Sequence, residues 1–443
     1  MSKLLIKQAQ IVTMNAKEEV FTGDVWIEND RIVHVSPNLS SLETQADRIL
    51  PGRGRVLLPG LIQTHIHLCQ TLFRGRADDM ELLDWLKKRI WPLEAAHDEE
   101  SVYYSALLGI GELIRSGTTT ILDMETVRHT ESAFRAMAES GIRAVSGKVM
   151  MDHGPDVPPA LLERTDQSIQ ESVDLLLRWH GAEGGRIQYA FCPRFVVSCT
   201  ERLLTEVREL SERYKVRIHT HASENRGEIE LVEQERGMRN IVYLDHIGLA
   251  TPKLILAHCI WLDEEEQRII RERGVKVTHC PGSNLKLASG LAKVPDLLSQ
   301  HIHVGIGADG AACNNNLDMF QEMRLTALIQ KIQYGPTAMN AKAVLRMATM
   351  GGAEVLGMEQ EIGSIEPGKK ADVILLDLED FHAYPSCDAD PYSRIVYSAT
   401  RGDVDTVMID GKIVMEGKRQ LTVNKSLVLN EADRCIKRLL KRI

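Results

Sequence analysis

Residues 56–67 read VLLPGLIQTHIH, a short apolar run that ends in His65-Ile66-His67. Seven further runs of the same kind follow: TTTILD (118–123), RAVSGKVM (143–150), RIQYAF (186–191), VRIHTH (216–221), LILAH (254–258), VKVTH (275–279) and HVGIGAD (303–309). The stretches between them, such as SVYYSALLGIGELIRSG (101–117) and ESVDLLLRWH (171–180), carry the 3.6-residue apolar period of amphipathic helices. Strand alternating with helix implies a parallel sheet. Eight βα units over roughly 300 residues fit a closed (β/α)8 TIM barrel, whose functional groups lie at the C-terminal ends of the strands. A doubly wound open sheet is the competing topology, but its Gly-rich loop after the first strand is absent.

Outside the middle the texture changes. LLIKQAQIVTM (4–14) and VWIENDRIVHVS (25–36) alternate apolar and polar residues around a turn at Glu28-Asn29-Asp30. The pattern returns in ADVILLDL (371–378) and VMIDGKIVMEG (407–417), where Asp410-Gly411 is a favoured two-residue hairpin turn. Two separate minor domains of this size would bury little core, so both ends are expected in one small β-sandwich. The expected division is 1–57 and 368–430 for the sandwich, 58–367 for the barrel, and a basic amphipathic terminal helix over 431–443.

The chain has 443 residues, with 53 Lys+Arg against 62 Asp+Glu and a formal net charge of −9. This mixed acidic surface argues against nucleic-acid or membrane partners, which want basic stripes. No apolar run approaches the ~18–20 residues of a membrane span, and MSKLLIKQAQIVTMN has no signal-peptide core. The eight cysteines are scattered without a CxxC pair and read as reduced thiols. A cytoplasmic homo-oligomer acting on a small molecule is the expectation.

Strand ends carry the chemistry. The first ends in His65 and His67, the second in Asp123, the fifth in His221, the sixth in His258, the seventh in His279 and the eighth in Asp309. One histidine at a strand end is ordinarily structural, but a barrel brings all of these ends to one rim. His65 and His67 lie two apart on an extended chain, so both can face one ion. His219 and His221 repeat that spacing. Glu224 follows His221 by three, placing a carboxylate beside a ligand histidine, although an acid at a helix start is the plain alternative. His219 is left in the core or on the opposite face. Imidazole and carboxylate ligands suit zinc or ferrous iron and leave an open position for water, whose pKa the ion would lower towards neutrality.

PGLIQTHIH (59–67), HTHASEN (219–225), LAHC (256–259) and GADGAACNNNLDMFQEMR (307–324), in that order and spacing, resemble the amidohydrolase superfamily. The likeness is to its methylthioadenosine/S-adenosylhomocysteine, 5'-deoxyadenosine, cytosine and guanine deaminase and triazine hydrolase branch, and it spans essentially the whole chain. It implies one metal ion held by His65, His67, His221 and Asp309, with zinc expected and iron the alternative. It also implies Glu224 as proton shuttle, His258 as the polarising imidazole, and Asp309 as a second proton acceptor. Binuclear relatives carry a carboxylated lysine at the end of the fourth strand. Here that strand leads into Cys192-Pro193-Arg194, and a guanidinium has no lone pair with which to bridge metals.

The resemblance points two ways on substrate. TLFRGRADDMELLDWLKKRIWPLE (71–94) reads as an amphipathic helix stopped by Pro92. By likeness to the nucleoside deaminases, Trp85 falls where a residue packs on substrate and Glu94 where a carboxylate grips the ribose hydroxyls. Core packing and a surface acid are the plain readings. Gln70, GKVMMD (147–152) and the Pro-Arg-Phe of CPRFVVSC (192–199) lean towards guanine deaminase. Arg194 stands where thioadenosine-type enzymes have a histidine. It could donate to a purine and Phe195 could stack on one, but an Arg–Glu structural pair and a packed aromatic fit equally. The expectation is a 5'-modified adenosine, with a free aminopurine or a triazine as alternatives. A non-catalytic homologue is a remote one, since fold alone does not establish activity.

Overall fold

A computed structural model describes residues 2–443. Five strands open the chain: β1 (Lys3–Val12), β2 (Val20–Glu28), β3 (Arg31–Ser36), β4 (Arg48–Pro51) and β5 (Arg55–Pro59). The barrel strands follow as β6 (Leu61–His67), β7 (Thr118–Met124), β8 (Arg143–Gly147) with its short extension β9 (Val149–Met150), and β10 (Ile187–Pro193). They continue with β11 (Arg217–Ala222), β12 (Leu254–His258), β13 (Lys276–His279), and β14 (Val304–Ile306) with its extension β15 (Asp309–Gly310). The chain returns to the first layer with β16 (Val373–Asp377), β17 (Val404–Ile409), β18 (Lys412–Glu416) and β19 (Arg419–Gln420).

The barrel strands pair in parallel around the whole circuit, and the β10–β11 pairing closes it, giving the expected (β/α)8 barrel. Its helices begin and end where local chemistry dictates. Helix Glu264–Arg273 starts on a reciprocal cap between Asp263 and Glu266 and stops at Gly274, whose φ of +67° no β-carbon-bearing residue adopts cheaply. The strands of both chain ends form one nine-stranded sheet, joined where β5 runs antiparallel to β16. Asp410 and Gly411 both have positive φ in the β17–β18 hairpin, as a two-residue turn of that type needs. The small sheet has its own apolar core, which includes Ile6, Ile11, Val25, Ile27, Leu57 and Val373.

The run VLLPGLIQ is two strands, not one. β5 belongs to the small sheet and β6 to the barrel, and the chain changes layers at Pro59-Gly60. A β-carbon at Gly60 would stand 2.1 Å from the Thr119 hydroxyl, so only glycine lets the crossing pass β7. The layers are also bolted together by Arg143, at the base of β8. Its guanidinium donates to both oxygens of Asp372 at 2.6 and 3.0 Å and to Asp410 at 2.9 Å, with Arg143 and Asp372 buried.

Pro92 does not stop its helix. Helix Leu82–Trp85 widens into a π turn over Leu86–Ile90 and continues as Trp91–Ala95. Proline fits because the turn before it is widened, with the Trp91 N–H bonding to the Leu86 carbonyl five residues back. Helix Lys425–Leu439 packs with Val428, Ala432, Cys435, Ile436 and Leu439 inward. Among the described residues, no helix is long and apolar enough to cross a membrane, and the eight cysteines are free, all but Cys387 buried.

Candidate active site

The strand ends converge at the barrel mouth. Asp309 Oδ1 lies 3.3 Å from Nε2 of both His65 and His67, and His67 Nε2 lies 3.3 Å from His221 Nε2. His65 is fully buried, His67 and Asp309 nearly so. Asp309 and His258 both hold positive φ, +61° and +72°, a conformation that aspartate and histidine adopt at some strain and that is concentrated at functional sites. Gly307 lets β14 lie close against β6, since a β-carbon there would meet the His65 carbonyl oxygen at 2.5 Å.

The protons around these rings can be assigned from their partners. His67 Nδ1 is 2.7 Å from the Met124 carbonyl and His221 Nδ1 is 2.8 Å from the Arg194 carbonyl. A carbonyl only accepts, so each Nδ1 carries hydrogen and each Nε2 presents a lone pair. Burial pushes the His67 pKa down to about 3 and that of His221 well below the usual range, which keeps both rings neutral. Two Nε2 lone pairs therefore face each other at 3.3 Å beside a carboxylate, while His65 Nε2 is buried with no hydrogen-bond partner. Converging lone pairs and a carboxylate with no proton to share are the donor set a divalent cation fits. His65, His67 and Asp309 could hold such an ion together, as could His65, His221 and His258.

His258 differs from the other three. Its Nδ1 is 2.8 Å from the Asn284 side-chain oxygen, and its Nε2 faces Glu224 Oε2 at 3.4 Å and Asp309 Oδ2 at 3.8 Å. Burial opposes a charge on this ring, yet the two carboxylates outweigh it and raise its pKa. An imidazole facing two acceptors has reason to keep a proton there, so among the histidines that could reach an ion it is the one suited to proton transfer. Burial pushes the Glu224 carboxyl up to about 7, near the value that general acid–base exchange at neutral pH favours. Glu224 also touches Ser289 Oγ at 3.5 Å, and its backbone N–H donates to Glu228. It is not simply a helix-start acid, since Asn225 caps the helix that follows.

The small cavity over this cluster is lined by Gln70, Trp85, Arg194, Phe195, Glu224 and His258 and roofed by Leu82, Leu86 and Leu287. It measures about 30 Å³, enough to hold ordered water over the cluster. Trp85 and Gln70 line it, and the buried Trp85 indole N–H and Gln70 carbonyl oxygen have no hydrogen-bond partner. Glu94 is neither a surface acid nor a carboxylate open to a diol. It is buried and faces Arg194, with Oε2 2.6 Å from one guanidinium nitrogen and Oε1 3.2 Å from another, and Oε1 also takes the Gln70 amide at 3.0 Å. The Arg–Glu pair left open by the sequence is present.

The other strand-end residues divide. Asp123 accepts the Leu68 backbone N–H and the Ser146 hydroxyl, holding the turn that follows His67. Burial raises its carboxyl pKa to about 7. His279 is buried with neither ring nitrogen hydrogen-bonded, and burial pushes its pKa down to about 3. His219 lies inside the barrel, not on the opposite face, and its Nε2 is 2.7 Å from His65 Nδ1. Sequence reasoning missed Asn284, Ser283 (2.7 Å from Asp309 Oδ2) and Ser289. They lie on the segment after β13, where only their closeness to His279 in the chain hinted at the rim.

The chain is similar to known proteins along its whole length. Residues 56–414 match the sequence profile described as the Amidohydrolase family. The chain is 42% identical over 437 residues to a protein of Methanobrevibacter smithii named 5'-deoxyadenosine deaminase, covering 98% of each chain. It is 40% identical over 444 residues to a 5-methylthioadenosine/S-adenosylhomocysteine deaminase of Desulforudis audaxviator, covering 100% of both. A solved structure described as an adenosine deaminase from Xanthomonas campestris with bound zinc superposes with a TM-score of 0.92 at 32% identity, covering 99% of each chain.

Proposed function

The chain belongs to the amidohydrolase family, and on that premise we infer that it is a hydrolytic deaminase of a 5'-modified adenosine. It is a hydrolase acting on a C–N bond of a small nucleoside, and it uses a divalent metal ion. The candidates are 5'-deoxyadenosine, methylthioadenosine and S-adenosylhomocysteine. The carrying observation is end-to-end similarity to deaminases named for those nucleosides, together with a complete set of inward-facing donors at the rim.

His65, His67, His221 and Asp309 would hold the ion, which we read as zinc, with iron as the alternative. When bound, such an ion supplies the Lewis acidity that makes water nucleophilic at neutral pH. In the overall reaction the water oxygen bonds to the amino-bearing ring carbon and the C–N bond breaks. One water proton ends on the ring nitrogen and the other on departing ammonia. Glu224, buried and raised towards neutrality, would take a proton from water and release it to the amine. His258, protonated on Nε2, would donate to the attacking oxygen or to the ring nitrogen, while Asp309 would be a second proton acceptor. Trp85 and Phe195 would flank the base, and the free Trp85 N–H, the Gln70 carbonyl and Arg194 would supply polar contacts. The Arg194 clamp makes Glu94 an indirect contributor.

Free buried thiols support a cytoplasmic setting, and a homo-oligomer remains the proposed assembly. An ammonia-release panel of 5'-deoxyadenosine, methylthioadenosine, S-adenosylhomocysteine, adenosine, guanine and a triazine tests the function. One of the 5'-modified adenosines should turn over fastest. Guanine outrunning every nucleoside would overturn the reading.

A further inference from the structure

His65 poses a problem that His67 and His221 do not. Those two rings fix their tautomer on a backbone carbonyl, whereas His65 sits one pair deeper in β6 and its Nδ1 meets a side chain instead. That side chain is His219, two residues deeper than His221 on β11, the strand that lies opposite β6 across the closed barrel. His219 Nδ1 is 3.1 Å from the Ile255 carbonyl oxygen, and both histidines are completely buried.

We propose that His219 is a positioning residue that sets the tautomer of His65 and thereby aims its Nε2 lone pair at the metal. The Ile255 carbonyl has no hydrogen to give, so His219 Nδ1 must carry one. In the neutral ring His219 Nε2 is then an acceptor, and His65 Nδ1 must be the donor across the 2.7 Å contact. His65 Nε2 is consequently bare, and it is the buried atom without a partner beside Asp309. Proton positions run in one direction from the Ile255 carbonyl through two rings to the ligand atom. A second imidazole does for His65, deep in the barrel, what a carbonyl does for His67 and His221 at the rim. Partners of this kind orient ligand histidines and raise their basicity, and their loss typically weakens metal binding about 10–100-fold.

This rests on the metal reading above, and the test separates the two. Zinc affinity is measured by competition with a chromophoric chelator for the wild type, His219→Leu and His219→Gln, with thermal melting of each metal-free protein as a folding control. His219→Leu should bind zinc about 10–100-fold more weakly. His219→Gln should recover most of that loss, because its amide oxygen can accept from His65 Nδ1. Equal affinity in wild type and His219→Leu overturns the proposal, as does an equal loss in both variants at equal stability. A wild type that binds no divalent metal would instead defeat the metal reading. Should His219→Leu not fold, ¹⁵N shifts of the zinc-loaded wild type decide. Hydrogen on His219 Nδ1 with a bare Nε2 is expected, and the opposite tautomer overturns the proposal.

Discussion

At the scale of single residues, what decides each role is what stands on the far side of the ring or carboxyl. Glu224 faces the cavity with a carboxyl raised towards neutrality. Glu224→Gln should abolish ammonia release while leaving the metal content of the purified protein unchanged, measured by elemental analysis. Glu94 faces a guanidinium instead. Removing one partner of a buried pair leaves an uncompensated charge, so Glu94→Leu or Arg194→Leu should each destabilise the fold by about 3–5 kcal/mol. The double variant should recover much of that in denaturant unfolding, and additive losses would show that the pair is not coupled. The six residues we assign to the metal and to proton transfer were legible because each stands within two residues of a strand end, and a barrel gathers strand ends. The Glu94–Arg194 pair spans 100 positions between a helix and a loop, so no local spacing announced it. Asn284 was hidden for the same reason.

At the scale of elements, the terminal helix shows how a basic surface pattern can be a docking face. Arg438 reaches Asp98 at 2.8 Å and Glu100 at 2.7 Å, and Arg442 reaches Asp98 at 2.8 Å and the Ala96 carbonyl at 2.7 Å. Asp98 also caps helix Glu99–Arg115. Burial works against its charge, but the Ser101 N–H and the two arginines hold its pKa below the ordinary 3.8, and Arg438 and Arg434 hold Glu100 below 4.5. Depressed carboxylates contribute stability that is fully present above those ordinary values and is lost as pH falls through the lower folded ones. Amide exchange in Lys425–Leu439 should therefore accelerate, relative to the barrel strands, as pH drops below about 4. The sequence placed this helix at 431–443, whereas it runs Lys425–Leu439 and begins inside the segment expected to be sandwich, and its partners were not foreseen. The helical period also missed the π turn ahead of Pro92, since apolar spacing alone does not distinguish a widened turn from an ended helix.

At the scale of the whole molecule, the two layers behave as one body. β5 and β6 share a continuous chain through Gly60, and Arg143 ties the base of β8 to Asp372 and Asp410. Arg143→Ala strands a buried carboxylate and should cost about 3–5 kcal/mol. Calorimetry should still show one transition if the layers unfold together, whereas two separated transitions would show that they are independent. The union of the chain ends was readable from their matching β texture. The place of the crossing was not, because VLLPGLIQ stays apolar through the change of layer. Finally, Leu82, Trp85 and Leu86 stand on one helical segment widened by the π turn, and all three line the cavity above the histidine cluster. The wall of the site and the shape of that turn are therefore linked, and a change that straightens the segment would move the surface a ligand meets.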